Sequence, residues 1–226
     1  MFGWKKSAFG DANQMTEQSS ANDSDAEGAM TGIVSGVRVA TAMGWRPIEA
    51  IAVGDRVLTF DGGLQVVTQV QRKFLWTGTG DCPRQFWPLE VPKGALGNRE
   101  VMSLLPRQPV MLESDAAEQT LGDPFALIPA EAMDGMNGIT RVPPRGPVAV
   151  VVLQFAEDQI VFANSGALFF CPAARDLVSD VFNEGLGCGY QILPLDKARA
   201  LAALIDAEFS AGQGVPQHDI PMAAYA

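Results

Sequence analysis

From Arg38 to Ala163 the chain is a series of short runs rich in Val, Ile, Leu, Thr and Phe, broken by Gly, Pro and Asp. Each run has strand length and each break is made of turn residues, so this texture admits an all-β domain of short strands and little else. The runs fall at Arg38–Thr41, Arg56–Phe60, Leu64–Leu75, Phe86–Val91, Val101–Leu105, Val110–Leu112, Phe125–Ile128, Ile139–Val142, Val148–Phe155 and Gln159–Ala163. Asp61-Gly62-Gly63 tolerates positive φ and predicts a turn between two of them, and Glu157-Asp158 predicts an antiparallel hairpin between the last two. The Leu64–Leu75 run is long enough to bend or change sheet partway. Pro47 limits pairing, so "RPIEAI" reads as an edge or irregular segment.

The flanks differ. Residues 11–30 carry five carboxylates, no basic residue and no branched aliphatic. Such a stretch cannot bury enough apolar surface to offset its ordering entropy, which predicts a disordered acidic leader over 1–30 and a β-domain over 31–166. After Cys171 the spacing turns helical. "AARDLVSDVF" puts Leu177, Val178, Val181 and Phe182 on one face, and "PLDKARALAALIDAEFSAG" opens at Pro194 with Asp196 as its cap, aligns Leu201, Leu204, Ile205 and Phe209, and stops at Gly212. A helical appendage over 167–212 and a loose tail over 213–226 are therefore expected.

Composition narrows the function. At 226 residues and 47% hydrophobic, the chain supports one main core. A net charge of −10 repels nucleic acid and anionic membranes, and no basic run offsets it. The three cysteines, Cys82, Cys171 and Cys188, have no CxxC spacing, which argues against a disulfide framework or a thiol zinc site and for a cytoplasmic setting. The N-terminus has no signal-peptide pattern, and the longest aliphatic run, Val148–Leu153, is far below the ~20 residues of a membrane span. "GLGCG" near Cys188 follows a helical pattern instead of opening one, so it does not aim helix amides at a phosphate. No cofactor or metal is expected.

The stretch "TAMGWRPIEAIAVGDRV" fixes Thr41, Gly44, Ile48, Ile51, Gly54, Asp55 and Val57 in order. Physically, Gly54-Asp55 makes a tight turn whose Asp bonds nearby backbone, while two isoleucines at spacing three face one core. This series resembles the Hint (Hedgehog/intein) domain as found in bacterial Hint-domain proteins. "VPKGALGNREVMSLLPRQPVML", "ALIPAEAMDGMNGI" and "VVVLQFAEDQIVFANSG" resemble later blocks of the same family, so the likeness runs from Gly32 to Gly166.

The resemblance implies a mostly β, pseudo-two-fold Hint-type fold and an autoproteolytic ancestry. In active members a Cys or Ser at the first position attacks the preceding carbonyl, and a His in the second block helps protonate the leaving nitrogen. A peptide bond is a poor electrophile with a poor leaving group, and lacking the acid alone forfeits ~10²–10⁴ in rate. Here Gly32 stands at the first position. Leu105-Pro106-Arg107-Gln108 stands where the family has Ser/Thr-x-x-His, so Gln108 replaces the His and Leu105 the hydroxyl. The single histidine, His218, lies in the tail. Thr31 and Ser35 are the remaining catalytic candidates, each a weak nucleophile without a neighbouring base. Cys171 reads as a buried small hydrophobe and Cys188 as a loop thiol. The expectation is a protein silent in autoprocessing that acts as a binding or structural module, meeting a protein partner through the exposed face of its C-terminal helices or through the acidic leader. Residual self-cleavage near residues 30–35 is the alternative.

Overall fold

A computed structural model describes residues 31–77, 82–173 and 190–210. Its strands are β1 (Ile33–Val34), β2 (Arg38–Thr41), β3 (Gly44–Pro47), β4 (Arg56–Thr59), β5 (Gly63–Val66), β6 (Gln69–Trp76), β7 (Leu89–Val91), β8 (Met102–Leu104), β9 (Pro109–Glu113), β10 (Phe125–Pro129), β11 (Thr140–Arg141), β12 (Val148–Gln154), β13 (Gln159–Ala163) and β14 (Ala167–Cys171). Among the described residues two helices join them, α1 (Asp115–Leu121) and α2 (Leu195–Ser210). Among the described residues the strands form two antiparallel sheets. One has six strands in the order β11-β7-β8-β1-β12-β6, and the other has eight, ordered β10-β9-β14-β13-β2-β4-β5 with β3 beside β2. The architecture is mostly β, as expected.

Alternation along the strands explains why the sequence runs are continuously apolar. In β13, Val161 and Ala163 enter the main core, while Ile160 and Phe162 enter a second cluster on the other face. β14 does the same, with Ala167, Phe169 and Cys171 on one side and Leu168 and Phe170 on the other. The eight-stranded sheet is thus covered on both faces there, and side chains of period two find apolar neighbours on each. The long run after Gly63 changes sheet, since β5 pairs with β4 and β6 pairs with β12. β3 pairs only with β2 before a 3-10 turn at Ile48–Ala50, the irregular edge that Pro47 predicts.

Several expectations need correction. Glu157-Asp158 does not close a hairpin: β12 lies between β1 and β6, whereas β13 pairs with β14, β2 and β4 in the other sheet. The tight turn joins β13 to β14 instead, where Asn164 (43°) and Ser165 (69°) adopt positive φ and, with Gly166, span from Ala163 to its partner Ala167. The Asp158 carboxylate accepts from the Ala173 N–H at 2.5 Å and anchors the crossing to the end of β14. β14 occupies Ala167–Cys171, where the sequence pattern predicts the start of the helical appendage, and it moves the start of any helical segment beyond residue 171. Gly166, just after the turn, passes so close to Gly97 that a Cβ would strike its backbone.

Helix α2 starts at Leu195, which places Asp196 in the first turn near the positive helix end and not at the cap. Its buried stripe is Ala198, Leu201, Ala202 and Ile205, while Leu204 and Phe209 are half exposed. Small side chains face inward because the helix packs closely on the 3-10 turns at Ala130–Met133 and Met136–Gly138. The expected leader, the Leu177–Phe182 helix, Cys188, the Gly212 stop and the tail with His218 lie outside the described residues.

Candidate functional site

The motif that carries the resemblance folds into one braced corner. Thr41 Oγ1 donates to the Gly44 carbonyl at 2.7 Å and accepts from the Met43 N–H at 3.1 Å, closing the β2–β3 turn with Gly44 at φ 91°. Ile48 and Ile51 are fully buried. Asp55 Oδ2 accepts from the Ala52 N–H and from Arg46 Nη1, both at 2.9 Å, and the Gly54 N–H donates to the Val67 carbonyl at 2.9 Å. Each motif residue thus has a packing or turn role.

Upstream of that corner, two residues far apart in the chain meet. Gly32 precedes β1, and its N–H donates to Gln108 Oε1 at 2.7 Å. Gln108 sits at the β8–β9 turn, where its own N–H donates to Leu105 O at 3.0 Å and its carbonyl accepts from Ala130 N at 2.9 Å. Its Nε2 donates to the carbonyls of Pro109 (3.0 Å) and Phe170 (2.9 Å), and the residue is buried. The carboxamide is therefore bonded at both ends. Toward the Gly32 nitrogen it turns a lone pair, not a proton, and it has no ionisable form.

Position 32 is closed sterically as well. Gly32 lies at φ 125°, and a Cβ there would stand 2.7 Å from Val150 Cγ1, 3.0 Å from Val152 Cγ2 and 3.2 Å from the Val151 carbonyl oxygen. No L side chain enters without displacing β12 methyls, in a conformation that L residues rarely adopt. Leu105, at the expected hydroxyl position, is wholly buried in an apolar cluster with Val34, Leu75, Phe86 and Val150.

A cavity of about 290 Å³ opens beside this contact, with Gly32, Gln108, Val152, Phe170 and Ile192 in its wall. Thr31 lines it and is exposed, while Ser35 lines a different cavity with Glu90, Ser103 and Arg145. The two sequence candidates are thus not brought together. Cys171 also lines the first cavity, but complete burial pushes its thiol up to about 12, so at neutral pH it stays protonated and packs as an apolar group. Burial also raises the Cys82 thiol.

Among the described residues no three His, Cys, Asp or Glu side chains gather around a common point that could hold a metal. No described helix is long and apolar enough to cross a membrane. Sequence reasoning had no access to Val150 and Val152 as the residues that fill position 32, nor to the Phe170 carbonyl that holds Gln108. Only the folded register of β12 and β14 brings them there.

The profile of the Hint domain family matches residues 31–168. No curated protein matches significantly in sequence. Among solved structures the chain is similar to a bacterial intein-like domain from Clostridium thermocellum, at 15% identity and a TM-score of 0.40 over 62% of this chain and 97% of that one. It is also similar to a splice-inactive variant of the AceL NrdHF class 3 split intein, at 14% identity and a TM-score of 0.39 over 64% of this chain and 99% of that one.

Proposed function

The chain belongs to the Hint domain family, and from that premise we propose that it is a Hint domain silent in autoprocessing whose scaffold serves as a binding or structural module. The observation that carries this reading is the Gly32–Gln108 contact. Where self-cleavage requires a nucleophile on one side of the peptide bond and a proton donor on the other, there is a glycine with no room for a side chain and a carboxamide that presents an acceptor. An activated nucleophile and an acid are both needed to cut an amide at a useful rate, and losing either is costly.

Thr31 and Ser35 offer hydroxyls nearby, but among the described residues neither has an imidazole beside it, and Ser35 lies past β1 in a separate cavity. The Cys171 thiol is a poor substitute because it is protonated and buried. As a module, the protein keeps most of the apolar stripe of α2 in its own core, so a partner would meet the outer side of that helix at Leu204 and Phe209.

The test is intact-mass analysis of the purified full chain during prolonged incubation with and without hydroxylamine or thiol, beside Thr31→Ala and Ser35→Ala. An unchanged mass in all arms is expected. Loss of a leader ending between residues 30 and 35, abolished by either substitution, would overturn the reading in favour of residual self-cleavage.

A further inference from the structure

We propose that the small cavity between β9, the Met136–Gly138 turn and α2 is the seat of an ordered water, which carries a hydrogen-bond relay from Asp206 through Asn137 to Glu113. The inference concerns how α2 is held on the β-domain and does not depend on whether the junction is silent.

The relay starts at a turn with a left-handed backbone. Asn137 stands at φ 48° and ψ 33°, a conformation that Asn tolerates better than most residues. Its backbone N–H donates to Asp206 Oδ1 of α2 at 2.8 Å. The side chain of the same residue is not served in this way. Its Nδ2 is buried and donates no hydrogen bond among the described residues. A buried amide donor that has lost water and gained nothing in return is costly, so a partner is required.

A cavity of about 40 Å³ lies beside it, with Leu112 and Glu113 of β9, Met136, Asn137, Gly166 and Ile205 of α2 in its wall. One water needs roughly 10–15 Å³ of such space, so the cavity has room for water and too little for a metabolite. Its wall also carries polar groups, which separates a hydrated cavity from a dry one. Asn137 supplies the donor. The Glu113 carboxylate, with about four lone-pair sites, can accept from a water beside its other contacts. Nδ2 does not reach that carboxylate directly although both line one cavity, and a bridging water fits such a separation. A cation fits less well, because the amide presents N–H groups there and no three His, Cys, Asp or Glu side chains converge among the described residues. The other large side chains in the wall, Leu112, Met136 and Ile205 among them, are apolar, and apolar burial is non-directional. The relay is therefore what orients the turn between β9 and α2.

The test is a water-selective NOE experiment on the ¹⁵N-labelled full chain, read at the side-chain amides. A resident water gives the Asn137 Nδ2 protons a cross peak with the sign of the protein's own NOEs. Two amides calibrate it. Gln69 is exposed on β6 and meets bulk solvent, whereas Asn98 is buried and its Nδ2 donates to the carbonyls of Pro92 and Glu100. Asn137 should differ from both. No water peak, as at Asn98, would overturn the proposal by showing a dry cavity, and a bulk-solvent response like that of Gln69 would overturn it by showing no resident water.

A urea-unfolding cycle of Asn137→Gly, Glu113→Leu and the double variant checks the bridge by a second route. Glycine keeps the left-handed backbone and removes the amide. The unfolding equilibrium constant of the double variant should lie about threefold or more below the value expected if the two single effects multiplied, because each single change breaks the same bridge. Effects that simply multiply would overturn the link between the two residues.

Discussion

The corner at Gly54-Asp55 and the junction at Gly32–Gln108 stand at the two ends of one short stretch of chain, and they treat hydrogen bonds in opposite ways. At the corner, a charged Asp55 braces Ala52 and Arg46 in a partly open turn, and the bonds serve backbone geometry. At the junction, a neutral buried amide bonds a backbone N–H and two carbonyls around the position where the resemblance expects the nucleophile. The corner explains why the fold is recognisable from its residues. On the proposed reading, the junction is where recognition of the fold stops carrying the reaction with it. Positions that set a turn and positions that move protons are under separate physical demands.

Substitutions sharpen that contrast in order of size. Gly32→Ala combines a disfavoured φ with a contact against Val150, and should destabilise by about 2–3 kcal/mol in urea unfolding. Adding Val150→Ala should recover part of that loss relative to Val150→Ala alone, since it removes the shortest contact and leaves those with Val152 and the Val151 carbonyl beside the backbone strain. Gln108→Leu keeps the approximate shape but strands the Gly32 N–H and two carbonyls, costing about 2 kcal/mol by the same measurement. On the proposed reading its chain should remain uncut, which intact-mass analysis checks.

Asp55→Ala should cost less, about 1 kcal/mol, because its ion pair with Arg46 is roughly a third exposed on both sides and screened by solvent. If Asp55→Ala proved costlier than Gln108→Leu, the contrast between the two regions would fail.

The smallest effect at neutral pH comes from ionisation of Cys171. Its folded thiol is pushed up to about 12 by burial, so the folded chain keeps a proton that the unfolded chain releases near 9. The contribution is complete below the unfolded value and is lost as pH rises from there toward 12, at ~1.4 kcal/mol per pH unit. Urea midpoints measured from pH 7 to 10.5 should fall more steeply above pH 9 for the wild type than for Cys171→Ala, whose difference at pH 7 reports only the truncation.

Strand positions were legible in the sequence because each apolar run is short and bounded by turn residues; Arg38–Thr41 and Gln159–Ala163 are observed with those limits. Sheet partners were not. β12 and β13 are both interior strands of apolar residues, so alternation carries no signal for which neighbour each takes, and proximity in the chain pointed to a hairpin that does not form. The α2 stripe misled for a related reason: Leu204 and Phe209 outrank Ala198 and Ala202 in hydrophobicity, yet close helix packing selects the small side chains. Gly32 and Gln108 could be singled out only through the family resemblance, and the methyl groups that close position 32 belong to a strand distant in sequence.

The central claim is that the junction is closed by shape as well as by missing chemistry. The measurement that tests it most directly is an intact-mass time course of Gly32→Cys with Gln108→His, run beside the same chain carrying Val150→Ala, after circular dichroism has established that both are folded. The account predicts that the two-substitution chain stays whole, because the new thiol has no seat against Val150, and that any cleavage between Thr31 and residue 32 appears only once Val150 is trimmed. Equal cleavage in both chains would contradict it.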